Sequence, residues 1–426
     1  MVEEFTPRRT FPYLHGVYLA VNAIRDVRLL IDGPNCAFFK AEHIFGSHDI
    51  ASTLLDVEGR HRVANTDMHP DRMVADHDDR FVEVLRRLLE DPARFPVLVG
   101  ALPMASITGI DYEALADRAR VPGVPAIVLP ARSLDRGWLD GFADTLTAVA
   151  RRIDLPEVAR DPCKVAIIGH FMDRNEGDCR ANVAELRRIV EAIGLGVASV
   201  WLDGGGWADL AAAAGAGTVV SLPHAREAAR VLAERTGARL VEAPVPFGVE
   251  ATDDFVRAIA LATGREAAGE AVVDAGHVRI ARAWEWLIPR RFMFRKLAFL
   301  GDPLMMPGFC RMAAGLGAEV TLLAAFSKPR QGFDAGGAEA AHLPVAPLWE
   351  PREASGWAAG RQLDLAVGNS IALRDLGGVR TIEFGFPSRG RHCFAPAPFL
   401  GYEGALFFVD RLSDALGDRM SLPDGG

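Results

Sequence analysis

The sequence contains little lysine and has no excess of positive charge. Only four of its 47 basic residues are lysine, so arginine carries almost all of the positive charge. Acidic residues outnumber basic ones by 56 to 47, which gives a formal net charge of −9. A protein that grips a nucleic-acid backbone needs clustered positive charge. We therefore expect no nucleic-acid partner.

Cysteine is also scarce, and the five cysteines stand singly along the chain: Cys36, Cys163, Cys179, Cys310 and Cys393. None forms a CxxC pair, which argues against a disulfide framework or a zinc motif and fits a reducing compartment. The N-terminus begins with two acidic residues and lacks the basic-then-apolar run of a signal peptide. No run of 18 apolar residues occurs either. We expect a cytoplasmic protein with no membrane partner.

What is present is a repeated unit: a short apolar run, a glycine-containing turn and then a stretch of helical period. This alternation is typical of parallel α/β architecture. With 426 residues, half of them hydrophobic, the chain has material for several domains. The predicted strands are 27–32, 97–100, 126–129, 163–169, 197–202, 218–222, 239–243, 296–301, 318–324, 364–367 and 381–384. The predicted helices are 79–89, 140–151, 182–193, 225–236, 253–263 and 307–316.

These elements divide the chain into three predicted α/β domains, 1–160, 161–290 and 291–426. The second begins with CKVAIIG, and the third with KLAFLG. A segment rich in proline and glycine, roughly 327–360, predicts a long surface excursion rather than a fourth domain.

The first candidate site is the turn Gly33–Pro34–Asn35–Cys36, which directly follows a predicted strand. In open α/β sheets the residues after a strand project into the crevice where ligands bind. Cys36 is thus placed to meet a metal centre or a partner surface. The alternative is a buried cysteine that acts as a small hydrophobe.

The histidines offer a second candidate. His392 and Cys393 lie on a predicted loop, where adjacent side chains point opposite ways, so at most one of them faces a given site. Five other histidines crowd one region without zinc-pair spacing, and most of them are predicted to lie at the surface: His43, His48, His61, His69 and His77. Glycine-rich turns such as 204–206 match no phosphate-binding motif.

With these pieces in place, the chain from about Phe11 to Leu416 resembles the component 1 family of nitrogenase-like oxidoreductases. That family includes the nitrogenase catalytic subunits, their cofactor-assembly homologues and the subunits of dark-operative protochlorophyllide reductase. The resemblance rests on the order of PYLHGVYLAV, GPNC, LVGALPMASITGIDYEAL, VAIIGHF, KLAFLGDP, FGFPSRGRH and LGYEGALFFVDRL. It implies three Rossmann-like parallel-sheet domains arranged around a central cleft.

The resemblance also implies cofactors and partners. An ATP-dependent iron–sulfur protein would pass electrons to an iron–sulfur cluster shared with a homologous component 1 subunit, and then to a substrate, a metallocofactor or a tetrapyrrole-like ligand. Cys36 occupies the family's first cluster-thiolate position. Near Met104 a family cysteine is replaced, and no cysteine occurs between Ile50 and Arg80. One thiolate cannot hold a four-iron cluster, so a partner subunit or an oxygen ligand such as Asp67 is required.

For the catalytic cofactor, the resemblance implies that His392 is retained as a ligand or proton donor. Ser221 occupies the region of the family's cofactor cysteine, where His224 is available as a nitrogen ligand. A serine hydroxyl is a poor ligand for iron, so dinitrogen reduction is not expected. The leading hypothesis is a subunit of a nitrogenase-like reductase complex that acts on an unidentified substrate. The alternatives are a non-catalytic scaffold or partner subunit for metallocofactor assembly, and a fold that has lost its clusters and binds a small molecule.

Overall fold

The computed structural model describes residues 11–68, 77–134, 136–327, 345–347 and 360–417. Strands β1 to β13 in this part of the chain form three sheets in which every pairing is parallel. Their bounds are β1 Arg28–Asp32, β2 Val63–Asn65, β3 Val97–Ala101, β4 Ala126–Val128, β5 Asp161–Ile168, β6 Gly196–Val200, β7 Ala216–Ser221, β8 Arg239–Glu242, β9 Lys296–Gly301, β10 Glu319–Ala325, β11 Val345–Pro347, β12 Leu365–Gly368 and β13 Arg380–Glu383.

Helices α1 to α13 alternate with these strands, apart from short single turns. Their bounds are α1 Tyr13–Asn22, α2 Phe38–His43, α3 His77–Leu89, α4 Pro103–Ser106, α5 Tyr112–Ala119, α6 Trp138–Arg152, α7 Gly177–Ala192, α8 Trp207–Ala211, α9 Arg226–Thr236, α10 Val249–Thr263, α11 Glu266–Trp284, α12 Met306–Gly315 and α13 Gly401–Leu416. The predicted α/β class with three parallel sheets is therefore confirmed.

The first sheet has the order β2-β1-β3-β4, the second β6-β5-β7-β8 and the third β11-β10-β9-β12-β13. Each sheet lies within one of the predicted segments 1–160, 161–290 and 291–426. The central strands are almost wholly apolar because helices cover both faces of parallel sheets. In β1, for example, Leu29, Leu30 and Ile31 are fully buried. The three-domain division and the central cleft stay predictions.

By the density of its contacts, the chain divides into two compact units. One consists of Phe11–Glu176 with Gly196–Glu242 and contains the first two sheets. The other consists of Gly177–Leu195 and the described residues from Ala243 onward, and it contains the third sheet.

Helix α7 illustrates a correct prediction from periodicity. Its apolar positions at helical spacing are all buried: Val183, Leu186, Ile189, Val190 and, just beyond its end, Ile193. The helix begins at Gly177, five residues before the predicted start at Asn182. The first five residues include a glycine and two charged residues, Asp178 and Arg180, so the apolar period is weak there.

Helix α1 was not predicted, because all ten of its residues are buried and it has no polar face. Its tight packing on α6 explains this. A Cβ atom at Gly16 would lie 1.7 Å from the carbonyl oxygen of Trp138, and one at Gly141 would lie 1.9 Å from that of Tyr13. Only glycine permits the two backbones to approach so closely.

Two further expectations concern a surface segment and membrane-spanning helices. The surface excursion predicted for 327–360 lies outside the described residues, apart from β11 and the end residues 327 and 360. No helix in the described ranges has the length and apolar character needed to cross a membrane.

Candidate functional site

The turn that carries Cys36 leaves the carboxyl end of β1 in the first sheet. Gly33 has φ +140°, and a Cβ atom there would lie 2.5 Å from Cδ1 of Leu102. Asn35–Ala37 then form a single helical turn that leads into α2. The backbone conformation therefore favours glycine at this position, and the Leu102 side chain would have to move to admit a larger residue.

Cys36 is exposed, as is Cys163, whereas the other three cysteines are buried. The amine of Lys40 lies close enough for a charge at Cys36 to act on it. Burial lowers the pKa of Lys40, and the charge of Cys36 partly opposes that effect. The hydroxyl of Tyr18 donates to the carbonyl of Ala37 at 2.8 Å and anchors the far end of the turn. The thiol thus lies in a fixed, solvent-accessible position beside a positive charge.

Beneath this turn lies a fully buried carboxylate, Asp32, the last residue of β1. It accepts hydrogen bonds from Thr66 Oγ1 at 2.7 Å and from Tyr112 Oη at 2.5 Å. His77 Nε2 lies 2.8 Å from the same Oδ2 atom that Tyr112 contacts. Thr66 Oγ1 also accepts from the backbone N–H of Gly33 at 3.0 Å. We call these four side chains, Asp32, Thr66, His77 and Tyr112, the Asp32 network.

Asp67, the predicted oxygen ligand, follows β2 on the same edge of the sheet. It is exposed and has φ +53°, a conformation uncommon for residues other than glycine. Its backbone N–H donates to Asn65 Oδ1 at 2.8 Å. Among the described residues, no group of three or more His, Cys, Asp or Glu side chains is arranged to hold a metal ion. The described chain therefore offers part of a ligand set at this edge, not a whole one.

Large apolar side chains are exposed in the segments that follow β1 and β3. Phe39 in α2 is 67% exposed, and Ile107 just after α4 is 70% exposed. Phe45 and Ile50 in the segment after α2 are exposed as well. Because β1 and β3 are paired neighbours in the first sheet, exposed apolar side chains follow the carboxyl ends of two adjacent strands.

The carboxyl edge of the second sheet is different in character. His170 follows β5, Ser221 ends β7, and His224 lies three residues beyond it. All three are buried, and neither ring nitrogen of His170, nor the hydroxyl of Ser221, has a hydrogen-bond partner in the described part of the chain. The ring of His224 stacks on Phe171 with centroids 5.0 Å apart. Burial, helped by the neighbouring His224, lowers the pKa of His170 to about 3.

His392 lies in the other unit, on the loop between β13 and α13, where it is half-buried. The next residue, Cys393, is buried, and its thiol donates to the carbonyl of Ala395 at 3.2 Å. The backbone N–H of Gly177 donates to the Cys393 carbonyl at 2.7 Å, which ties the loop to the start of α7. The structure thus brings Ser221 and His224 to one sheet edge and Cys36 and Asp67 to another, and it places His392 apart in chain and unit.

The prediction that most of the clustered histidines lie at the surface is wrong for His48 and His77, which are buried. His43 is half-buried, His61 is exposed, and His69 lies outside the described residues. His48 Nε2 lies 3.1 Å from the carbonyl of Asp173, and burial together with Arg174 lowers its pKa to about 4. These contacts join segments far apart in the chain, which residue spacing within one helix does not reveal.

The sequence assigns no site role to His77, expected at the surface, or to His170, although a simple signal is present. His170 comes two residues after β5, and His77 begins the helix that follows β2. Carboxyl ends of parallel strands meet at one edge of a sheet, so such positions are candidates for a shared site.

A pocket of about 490 Å³ lies beside the carboxyl end of β4. Its wall carries Arg132, Arg151 and Arg152, each of which faces a carboxylate at 3.1 to 3.7 Å. The charges of these pairs balance, so the pocket offers no excess charge that would define a ligand.

The fold and these edges define an α/β protein of parallel sheets whose thiol and imidazole groups emerge at carboxyl ends of strands. A model of the family "Nitrogenase component 1 type Oxidoreductase" matches residues 13–416. The chain belongs to this family, which confirms the resemblance predicted from the motifs.

Two curated relatives illustrate the similarity. The nitrogenase molybdenum-iron protein beta chain of Methanococcus maripaludis is 26% identical over 211 residues, which cover 48% of this chain and 45% of the relative. One of the subunits of the light-independent protochlorophyllide reductase of Cereibacter sphaeroides is 27% identical over 222 residues, which cover 51% of this chain and 42% of the relative. The matched region thus spans less than half the length of these relatives.

A solved structure described as nitrogenase Cp1 at pH 6.5 has the same fold. Its TM-score is 0.82 at 17% sequence identity, and the match covers 98% of this chain and 94% of the solved one. At this identity the match concerns the fold alone.

Proposed function

We propose that the protein is a subunit of a nitrogenase-like reductase complex that receives electrons from an ATP-dependent iron–sulfur protein. Family membership supports an oxidoreductase subunit. The observation that carries the finer proposal is the exposed thiol of Cys36, held by a glycine-dependent turn at the carboxyl edge of the first sheet. An inert structural cysteine is normally buried, whereas a thiolate that binds a cluster or a partner must be accessible.

Cys36 would hold an iron–sulfur cluster together with ligands from a homologous component 1 subunit, and Asp67 would supply an oxygen ligand. The donor set fits a shared cluster, because the described residues at this edge include the exposed thiol of Cys36 and the exposed carboxylate of Asp67 but no complete metal site. When bound, such a four-iron cluster supplies one-electron transfer. The chain's own contribution is to hold the thiol in place beside the positive charge of Lys40.

The partner subunit would cover the exposed apolar residues at the same edge. Phe39 and Ile107 are each at least two-thirds exposed, and their burial would stabilise a complex by roughly 1.5 to 3 kcal/mol per side chain. Covering this surface would also exclude water from the cluster. Binding of a shared cluster and burial of the exposed apolar residues would therefore require the partner subunit to cover the same edge of the first sheet.

The carboxyl edge of the second sheet would contact the substrate or a metallocofactor. A buried polar atom without a partner costs about 1 to 3 kcal/mol. His170 and Ser221 together leave three such atoms among the described residues, and a bound ligand would relieve this cost. His170 is neutral, so its ring can donate one hydrogen bond and accept another, or present a lone pair to a metal. His224 would add a second imidazole, and Ser221 a hydroxyl.

For His392 we propose the role that the resemblance implies, a ligand or a proton donor for the substrate or cofactor. Imidazole is the side chain best suited to transfer a proton near neutral pH, and that of His392 is half-buried on its loop, where a ligand could reach it. The substrate class includes unsaturated or otherwise unreactive molecules, and a tetrapyrrole-like ligand is one of them.

The proposal is tested by purifying the chain without oxygen, alone and with a co-produced homologous component 1 subunit. Iron, labile sulfide and the electron paramagnetic resonance spectrum are measured in both preparations. We expect a cluster only in the complex, and its complete loss in Cys36→Ala. The matched control is Cys163→Ala, which removes the other exposed thiol and should leave the iron content unchanged. A complex free of iron, or a Cys36→Ala complex with full iron content, would contradict the proposal.

A second candidate is a non-catalytic scaffold or partner subunit for metallocofactor assembly. The incomplete ligand set among the described residues favours it, because a scaffold needs only to support or transiently hold a cofactor. The two candidates differ in turnover. The reductase should convert substrate when supplied with ATP and an iron–sulfur reductase, and His392→Ala should reduce that rate. A scaffold should bind or release the cofactor without such turnover.

A further inference from the structure

The Asp32 network links a surface carboxylate to the turn that carries Cys36. Asp78, whose side chain is 59% exposed, lies 3.0 Å from Nδ1 of His77. The other ring nitrogen of His77 contacts the buried carboxylate of Asp32. The His77 side chain is only 4% exposed, and its ring stacks on Phe81. The imidazole is therefore confined between two carboxylates, one buried and one open to solvent.

The Asp32 network also involves the two segments that carry Cys36 and Asp67. Thr66 Oγ1 bridges the carboxylate of Asp32 and the backbone N–H of Gly33, three residues before Cys36. Thr66 also directly precedes Asp67. The backbone carbonyl of Asp32 accepts from the N–H of Leu102, the residue that packs against Gly33. A displacement of the Asp32 carboxylate would therefore be passed to the start of the Cys36 turn.

We propose that His77 is a positioning residue: it holds the Asp32 carboxylate, which acts through Thr66 to fix the backbone of the Gly33–Cys36 turn and hence the direction of the Cys36 thiol. The inference rests on the proposed function, because it concerns the thiol that would hold the cluster. It can still be tested on the metal-free chain, since it predicts a property of the thiol itself.

The charges around His77 support its action as a cation. Burial disfavours the charged ring, but the hydrogen bonds with Asp78 and Asp32 together outweigh burial and raise the pKa of His77 above its ordinary value. The His77 ring contacts the carboxylate of Asp32 on β1 and the carboxylate of Asp78 on its own helix. From α5 the phenol of Tyr112 reaches the same oxygen of Asp32, and burial raises the pKa of that phenol. Arg80 on α3 donates to the backbone carbonyl of Thr66 at 3.4 Å. Thr66 is the residue whose hydroxyl bridges Asp32 and Gly33.

The test is the rate at which iodoacetamide alkylates Cys36 in the metal-free chain, followed from about pH 6 to about pH 9.5. A Cys163→Ser background leaves Cys36 as the exposed thiol. The rate should rise with thiolate formation and show a second inflection where His77 loses its charge. His77→Gln keeps a donor to Asp32 but no titratable charge. It should abolish the second inflection and change the rate near neutral pH by about threefold or more.

Two further variants separate positioning from folding. Asp78→Asn removes only the exposed carboxylate, so the chain should fold normally and the second inflection should move to lower pH. Tyr112→Phe removes a neutral hydrogen bond from the same carboxylate and should keep the second inflection. The inference is overturned if the profiles of His77→Gln and Asp78→Asn coincide with that of the parent. Because no cluster is involved, that result would leave the iron measurements on the complex unaffected, and a complex without iron would leave this test unaffected.

Discussion

The first and second sheets have the same strand order and belong to the same compact unit, yet their carboxyl edges differ in polarity and exposure. At the first edge the thiol of Cys36 is exposed, and the buried carboxylate beneath it has a hydrogen-bond donor from three separate segments. At the second edge His170 and Ser221 are buried, and their polar side-chain atoms have no partner within the described ranges.

The difference shows how one architecture supports two kinds of site. A buried polar group is normally satisfied by the protein or by water, and an exception calls for an explanation. At the first edge the protein surrounds the buried Asp32 carboxylate with partners from three segments and leaves the thiol exposed, which suits a site completed by another subunit. At the second edge the ring nitrogens of His170 and the hydroxyl of Ser221 have no partner among the described residues, which suits a site completed by a ligand.

The largest expected effect is at the first edge. Asp32→Asn removes a buried charge that His77 pairs with, and we expect it to lower the free energy of unfolding by about 3 kcal/mol. Chemical denaturation at neutral pH measures this. Asp67→Asn, an exposed carboxylate on the same edge, is the matched control and should change stability by no more than about 0.5 kcal/mol. Equal effects in the two variants would mean that the Asp32 network does not stabilise this edge.

The next effect concerns acid stability at the second edge. His170 has a folded-state pKa of about 3, against about 6.5 in the unfolded chain, so the unfolded state binds the extra proton between these values. Destabilisation by proton binding to the unfolded chain is therefore absent above about pH 6.5 and grows as the pH falls toward 3. Between pH 7 and about pH 4.5 the parent should lose about 2 to 3 kcal/mol more than His170→Leu.

The same variant tests whether the ring lacks a partner in the free protein. Without a partner, replacement by an apolar side chain should leave stability at pH 7 unchanged or raise it. His48, whose pKa is lowered to about 4, remains in both proteins and contributes equally to their acid sensitivity. A loss of several kcal/mol at pH 7 in His170→Leu would show that the ring is held by the protein, and the contrast between the two edges would fail.

The smallest expected effect is the difference in stability between two variants, each of which removes one hydroxyl at one of the two edges. Thr66→Val removes a hydroxyl that bridges Asp32 and Gly33, and it should cost about 1 to 3 kcal/mol. Ser221→Ala removes a buried hydroxyl without a partner in the described chain and should change stability by less than about 0.5 kcal/mol. Denaturant midpoints of the two variants measure the difference, and similar costs would remove the distinction between satisfied and unsatisfied edges.

Much of the fold followed from local pattern, as the strands show. The predicted strand 296–301 coincides with β9, and 27–32 differs from β1 by one residue. Apolar runs closed by glycine are strong signals because both faces of a parallel strand are buried. Helix α1 was missed for the opposite reason, since a helix buried on every side has no amphipathic period. Helix α11 was missed because two of its five buried residues, Gly269 and Gly276, are glycine, so its buried face forms no continuous apolar stripe.

For the site, the sequence pointed to Cys36 because it lies just beyond the end of a predicted strand, and the family resemblance pointed to Ser221. It did not reveal His77, which lies 45 residues from Asp32 in the chain and 2.8 Å from it in space. Nor did it distinguish His170, whose significance depends on which partners surround it. A hydrogen-bond partner is a property of the packed chain and leaves no period in the sequence.

The sequence by itself determined the α/β class, the family and the scarcity of thiols, because these depend on composition, strand spacing and motif order. The tertiary structure alone decided that the Cys36 turn lies above a buried carboxylate with three donors, and that polar atoms of His170 and Ser221 have no partner in the described part of the chain. The physical reason is that burial and pairing arise when segments distant in the chain meet, and the free energy of a polar group depends on whether that meeting provides a partner.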